Sequence, residues 1–278
     1  MRDHTGLTRS LVADSALGPL RGLLLTLTVV TGVVDAVSIL ALGRVFVANM
    51  TGNVVFAAFA LVGAPGFSLS ASLFALGGFL VGAYGGGVLI GRFGHDRGLL
   101  LRAGSAVELA FAAVALVVAA TSGDPGVTHG TIGLTGGEFG AAATDAIAAL
   151  LAIALGVQNA VARKLAVPDM TTTVLTMTLT GVGADLRTIF RDRPRAKGRF
   201  GRQEASGMTG AARSALGRRL LAVAAMVVGA LAGASLTLRV SPLSGLALAA
   251  ALLAAVTAWV ALATHRPAGW RAFPAAQH

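Results

Sequence analysis

Residues 22–53 read GLLLTLTVVTGVVDAVSILALGRVFVANMTGN. A helix rises about 1.5 Å per residue, so the apolar run of 22–43 is long enough to cross about 30 Å of hydrocarbon. Arg2, Arg9 and Arg21 precede it, but it is longer than the core of a signal peptide and carries Asp35 rather than a small-residue cleavage site, so it is expected to be retained. Within the run, Thr28, Thr31, Asp35 and Ser38 follow one another at spacings of three, four and three, which puts them on one polar stripe of an otherwise apolar cylinder. A charged side chain at the centre of a span costs at least about 2.5–3.5 kcal/mol unless it meets water, a partner or a cation, which makes Asp35 a candidate functional residue. The next stretch, 46–64, has the length of a second span but opens on Asn49, Thr51, Gly52 and Asn53. A lipid-facing helix would not carry that opening.

The whole chain repeats this character. Hydrophobic residues make up 55% of its 278 positions, 37 more are Gly, and only 12% are charged, about half the usual share of a soluble domain. Too little polar surface exists to wrap a globular core, so the expected fold is all-α, a polytopic membrane helix bundle forming one integral domain over 1–278. No Cys is present, which excludes disulfides, thiolate metal sites and cysteine nucleophiles. Spans are expected at 22–43, 69–91, 101–120, 145–163, 219–238 and 244–263, with 46–64 and the Thr-rich 171–186 as broken or re-entrant segments.

Lys and Arg in short loops stay on the cytoplasmic side. Eight crossings with the N-terminus inside would put 15 of the 22 basic residues there; six crossings put 20 of 22 inside and leave only Arg44 and Arg239 outside. Six spans are therefore expected, with seven as the competitor. The loop 121–144, which has no Lys or Arg, then faces outward. The basic stretch 187–219 faces the cytoplasm, and 191–216, rich in Arg, Gly and Ser, reads as a mobile loop touching anionic lipid.

The hexad Gly32-Val33-Val34-Asp35-Ala36-Val37 recurs 124 residues later as Gly156-Val157-Gln158-Asn159-Ala160-Val161. Each copy is followed by a polar opening, Thr51-Gly52-Asn53 or Thr176-Met177-Thr178. Three spans separate the copies, so halves of about 20–120 and 145–263 would enter the membrane in opposite directions as an inverted repeat, an arrangement that commonly encloses a central site.

At these residues the chain resembles the YoaK family of bacterial integral membrane proteins, a domain family of unknown function. The likeness rests on Gly32 to Ala36 with Val45 to Asn53, and on Gly156 to Ala160 with Thr172-Thr173 and Thr180-Gly181. It implies an inner-membrane protein of six or seven helices and supplies neither a substrate nor a catalytic residue.

The polar groups held at membrane depth define a candidate solute site: Asp35, Asn49, Thr51 and Asn53 from one half, Gln158, Asn159, Thr172, Thr173 and Thr176 from the other. Asn49 to Asn53 can cap a half-helix or offer its free N–H groups to an anion; Pro168 and Asp169 suggest the same helix start before Thr171. Asp145, Ala149, Ala152, Gly156, Asn159 and Arg163 form a small-residue face suited to helix packing, as do Gly78-Gly82-Gly86, Gly87-Gly91 and Gly229-Gly233. Glu108 is expected to pair with Arg102 or Arg97, with a place on a proton route as the alternative. His4, His95, His129, His265 and His278 are scattered, and no P-loop or nucleophile elbow occurs, so no metal, no cofactor, no nucleic acid and no enzymatic activity are expected. Without an ATP motif, a secondary transporter or permease of a small solute is the leading expectation. The alternative is a non-transporting membrane scaffold or sensor, and association into a homo-oligomer is compatible with either.

Overall fold

The computed structural model describes residues 17–122, 139–167, 175–191, 199–265 and 269–273, with side chains throughout except at 191 and 199–209. Eight α-helices occur among them: α1 Leu20–Ala41, α2 Met50–Leu61, α3 Leu69–Phe93, α4 Arg97–Ser122, α5 Ala141–Leu165, α6 Leu175–Arg191, α7 Arg199–Arg239 and α8 Pro242–Thr264, followed by a 3₁₀ turn at Gly269–Arg271. Six are long and apolar enough to cross a membrane: α1, α3, α4, α5, the Gly210–Arg239 part of α7, and α8. The other two are short, and α2, at 12 residues, reaches only about 18 Å.

Local sequence sets the ends. Ser68 accepts a hydrogen bond from Ala71 N–H at 3.2 Å to cap α3, and Ser241 caps α8 ahead of Pro242 at its first position. α5 stops at Ala166, whose φ of 48° lies in the left-handed region usually left to Gly.

Close helix crossings fix the direction of each span. Any Cβ added to Gly82 or Gly86 of α3 would collide with Ile153 or Ala160 of α5, and one on Gly78 with Ala149, so α3 and α5 run parallel. In the same way Gly229 and Gly233 of α7 press on Val29 and Val33 of α1, so those two are parallel. Thr31 of α1 meets Gln158 of α5, while Leu24 and Leu27 meet Val161 and Ala162, so α1 and α5 are antiparallel. It follows that α3 runs against α1 and α7 against α5. Neither α2 nor α6 crosses, and the described residues form six spans with two non-crossing segments rather than seven or eight.

The crossings also match in register. Gly32 approaches Met226, Gly229 and Ala230, and Gly156 approaches Phe79, Gly82 and Ala83. Gly82 meets Ile153 while Gly229 meets Val29; Gly86 meets Val157 while Gly233 meets Val33. Each pair of equivalent contacts is offset by the same 124 residues on one helix and 147 on the other. The packing role of Gly78, Gly82, Gly86, Gly229 and Gly233 is thus seen directly. Gly87 and Gly91, expected to pack likewise, face open space.

α1 is the hub of the bundle: 67% of its apolar window is buried, against 17% for α3 and 22% for α7. Leu80, Val81, Tyr84 and Val88 of α3, Val227, Val228 and Leu231 of α7, and Leu262 of α8 are exposed, as side chains toward lipid would be.

The basic stretch differs from expectation. The segment 191–216 reads as a loop, but helix resumes at Arg199 and runs unbroken into the span as the 41-residue α7. Arg, Gln, Glu, Ala and Met are good helix formers. A missing apolar period does not by itself prevent a helix.

Candidate functional site

The polar residues at depth form two arrangements. In the first, the chain leaves α1 through a tight turn at Gly43 (φ 76°) and Arg44 (φ 58°) and doubles back along it. Asp35 lies six residues before the end of α1, about 9 Å down its axis, and its Oδ1 accepts hydrogen bonds from Val47 N–H and Ala48 N–H, each at 3.3 Å. Asn53, fully buried, turns its amide onto Phe46: Oδ1 accepts from Phe46 N–H at 2.8 Å and Nδ2 donates to Phe46 O at 2.5 Å. Irregular backbone inside a membrane must have its N–H and C=O groups satisfied by protein. Asp35 and Asn53 satisfy three N–H groups and one carbonyl of this returning segment. Asn49 and Thr51 are exposed, and Asn49, at the start of α2, makes no capping bond with its side chain. Gly52 is roofed by the Phe46 ring, which stacks on Phe56 with centroids 5.6 Å apart.

The second arrangement lies where α1, α4 and α5 meet. The Thr31 hydroxyl hydrogen is committed to Leu27 O at 3.0 Å, so its lone pair receives Gln158 Nε2–H at 2.9 Å. That fixes the amide orientation and leaves Gln158 Oε1 buried with no donor. Glu108, 1% exposed, has its Oε1 in the same condition. Both side chains line one small cavity together with Leu24, Leu27, Leu101, Gly104, Ser105, Val161 and Ala162. Its free space holds about one water molecule.

The expected pairing of Glu108 with Arg102 or Arg97 is not found among the described residues. Arg102 faces outward, and Arg97 lies over the Phe273 ring at 5.0 Å. Glu108 stands three turns into α4, beyond the reach of a side chain rooted at its first residue; the acids that do find an arginine are Asp96, with Arg271, and Asp185, with Arg219.

The remaining candidates are placed as follows. Asn159 donates to Leu155 O of its own helix at 3.1 Å, and Thr176 is exposed on α6. Thr172 and Thr173, like Pro168, Asp169 and Thr171, lie outside the described residues. Of Asp35, Asn53, Gln158 and Asn159, only Gln158 lines the cavity. Asp145 accepts from Ser70 of α3 at 3.1 Å, and Ala149 and Gly156 press on α3, as the small-residue face implied. Sequence reasoning did not place Glu108 in the site. The available signal was position: it is the sole carboxylate inside α4, more than two turns from the helix start.

The end of the bundle carrying Arg21, Arg97 and Lys164 is closed by residues 269–273. Trp270 is buried against Gly18 and Gly98, Arg97 and Lys164 both lie over Phe273, and Arg271 makes a bidentate pair with Asp96. Partial burial pushes the Asp96 carboxyl up, but hydrogen bonds from Arg271 and Leu99 N–H, with the guanidinium charge, hold it below its ordinary value.

A six-span helical bundle with polar backbone folded back into its interior and a buried carboxyl at its centre defines a polytopic integral membrane protein. Residues 23–259 match the family described as "Protein of unknown function (DUF1275)", and the chain belongs to that family. It is 29% identical to the UPF0700 transmembrane protein YoaK of Bacillus subtilis (strain 168) over 167 residues, covering 60% of this chain and 67% of that protein. No solved structure matches.

Proposed function

We propose that the protein is a secondary transporter or permease of a small solute in the bacterial inner membrane, built as an inverted repeat of halves 20–120 and 145–263. The reciprocal crossings carry this reading. Each half contributes a central helix, α1 or α5, that packs against the third helix of the other half through the same glycine contacts at the same offset. Spans that interlock in this way can rock as two bodies about a central site, which is how repeat transporters alternate access. The small cavity between α1, α4 and α5 is the site on this reading. Its free space holds about one water molecule, and no bond-breaking chemistry is assigned to it. The many lysines and arginines at the 187–219 side put both termini and that stretch in the cytoplasm.

A second reading, a non-transporting scaffold or sensor, draws on one observation: Asp35 and Asn53 are used up in holding backbone. The two separate in proteoliposomes. Vesicles loaded with a pH dye and offered a panel of amino acids, sugars, carboxylates and amines should report flux for one class. A Ser105→Cys protein, labelled with an impermeant maleimide in a chain that has no other Cys, should react from both faces. Absence of flux across the panel together with labelling from neither face would overturn the transporter reading.

A further inference from the structure

We infer that Glu108 and Gln158 form a proton-binding site, in which one proton on Glu108 makes it a hydrogen-bond donor that reaches Gln158 Oε1 through one water in the cavity that both side chains line. The argument starts from two buried acceptors that lack donors among the described residues, Glu108 Oε1 and Gln158 Oε1, on side chains that line one cavity. Flipping the Gln158 amide would sacrifice an existing bond, because Thr31 would have to withdraw its hydrogen from Leu27 O to donate to the flipped oxygen. A bound water alone has two hydrogens and would serve both atoms, but it would leave a carboxylate without a counter-charge in the middle of the bundle. The cavity lining contains no Lys, Arg or His.

The charged groups on the surrounding elements stand elsewhere. Arg21 lies one turn before Leu24 on α1, and Asp35 is held by Val47 and Ala48 at the far end of that helix. Arg97 and Arg102 lie in the first two turns of α4, and Arg163 and Lys164 in the last turn of α5. Tyr84 and Arg92 are on α3, and Asp145 opens α5 against Ser70; α8 carries no titratable side chain. A proton therefore neutralises the carboxyl and completes the hydrogen bonding of both orphan atoms in one step. No covalent bond other than O–H forms or breaks, and the proton comes from and returns to water when the cavity opens.

This deepens the transport reading by naming its coupling ion, but it is tested by proton occupancy rather than flux, so the two can fail separately. The full-length protein in lipid nanodiscs should show the infrared carbonyl band of a protonated carboxyl that is deuterium-sensitive and absent in Glu108→Gln. Gln158→Leu should move that band toward the position of an acid without a hydrogen-bond acceptor. Dicyclohexylcarbodiimide, which attacks protonated carboxyls from the lipid side, should modify the Glu108 peptide, with labelling falling about tenfold for each pH unit above the midpoint of the site. Replacing KCl by NaCl should change neither signal. The inference is overturned by a band that survives in Glu108→Gln and disappears in Asp35→Asn, by a band indifferent to Gln158→Leu, or by sodium protection of Glu108, which would make the occupant a metal cation.

Discussion

Replacing Asp35 with Leu tests whether this carboxyl holds the returning segment or serves a solute. The substitution keeps the heavy-atom count and the branch at Cγ, with methyls bulkier than the oxygens they replace, and leaves Val47 N–H and Ala48 N–H without an acceptor. Each orphaned buried donor costs about 1–3 kcal/mol; at 3.3 Å the native bonds are long, so a total of about 2–4 kcal/mol is expected. Global melting is a poor readout, because Leu also removes the burial cost of a carboxyl, about 2.5 kcal/mol or more, and the two effects nearly cancel. The opening equilibrium of the segment does not share that cancellation, since the side chain at 35 remains in α1 whether the segment is closed or open. Amide hydrogen exchange at Val47 and Ala48 should therefore accelerate about 30- to 1000-fold in Asp35→Leu. Asp35→Asn, which keeps the acceptor oxygen, should lie between Leu and wild type. Amides in the middle of α5 serve as the internal reference and should not change. If exchange at Val47 and Ala48 in Asp35→Leu stays within about threefold of wild type, Asp35 does not anchor this backbone.

Gly82→Val and Gly229→Val should each force a parallel pair of spans apart and cost about 3 kcal/mol or more, seen as a lower detergent melting temperature, whereas Gly87→Ala should be neutral or slightly stabilising through helix propensity. Equal effects at Gly82 and Gly87 would remove the close-contact argument. Ala166→Gly should stabilise by up to about 1 kcal/mol, because it relieves a left-handed backbone at the end of α5; denaturation midpoints check it. The Asp96–Arg271 pair should be indifferent to pH between 5 and 8. Its carboxyl is depressed in the folded state, so its contribution is complete above the unfolded value of about 3.9 and fades as the pH falls through the lower folded value. Trp270 fluorescence, read against an Asp96→Asn protein that should lack the acid transition, measures this.

The architecture was legible because membranes reduce the choices. Apolar runs of the right length can only be spans, the Asn49 to Asn53 opening marked 46–64 as broken or re-entrant, and the Lys and Arg count favoured six crossings over eight with seven left open. The site was less legible for a specific reason. Polar residues were grouped by their motifs, but in three dimensions motif partners serve different ends: Asp35 and Asn53 bind backbone, whereas Gln158 turns toward α1 and α4. Glu108 carries no motif at all. Its importance rests on the absence of any partner, and a missing contact cannot be read along a chain. The length of α7 failed for a simpler reason, since an exposed helix and a polar loop share a composition.

Backbone contacts repeat between the halves, but side-chain chemistry does not, and that difference bears on how such a bundle could move. At the 124-residue offset, Asp35 corresponds to Asn159, Asn53 to Met177 and Val34 to Gln158. The first half therefore fastens its returning segment with an acid and an amide, while the equivalent of the amide in the second half is a methionine with 67% of its surface exposed. In exchange, the second half supplies the amide that faces the central cavity. A strictly symmetric bundle would have its two tilted states equal in energy by construction. Here the glycine crossings supply equivalent packing in both directions, and the polar groups alone distinguish them. On the transport reading proposed above, the side of the molecule held by Asp35 and Asn53 would be the fixed one, and the energetic difference between states would fall on the α6 side and on whatever occupies the cavity lined by Glu108 and Gln158. On that reading, the single proton inferred there would act on the term that packing leaves undetermined.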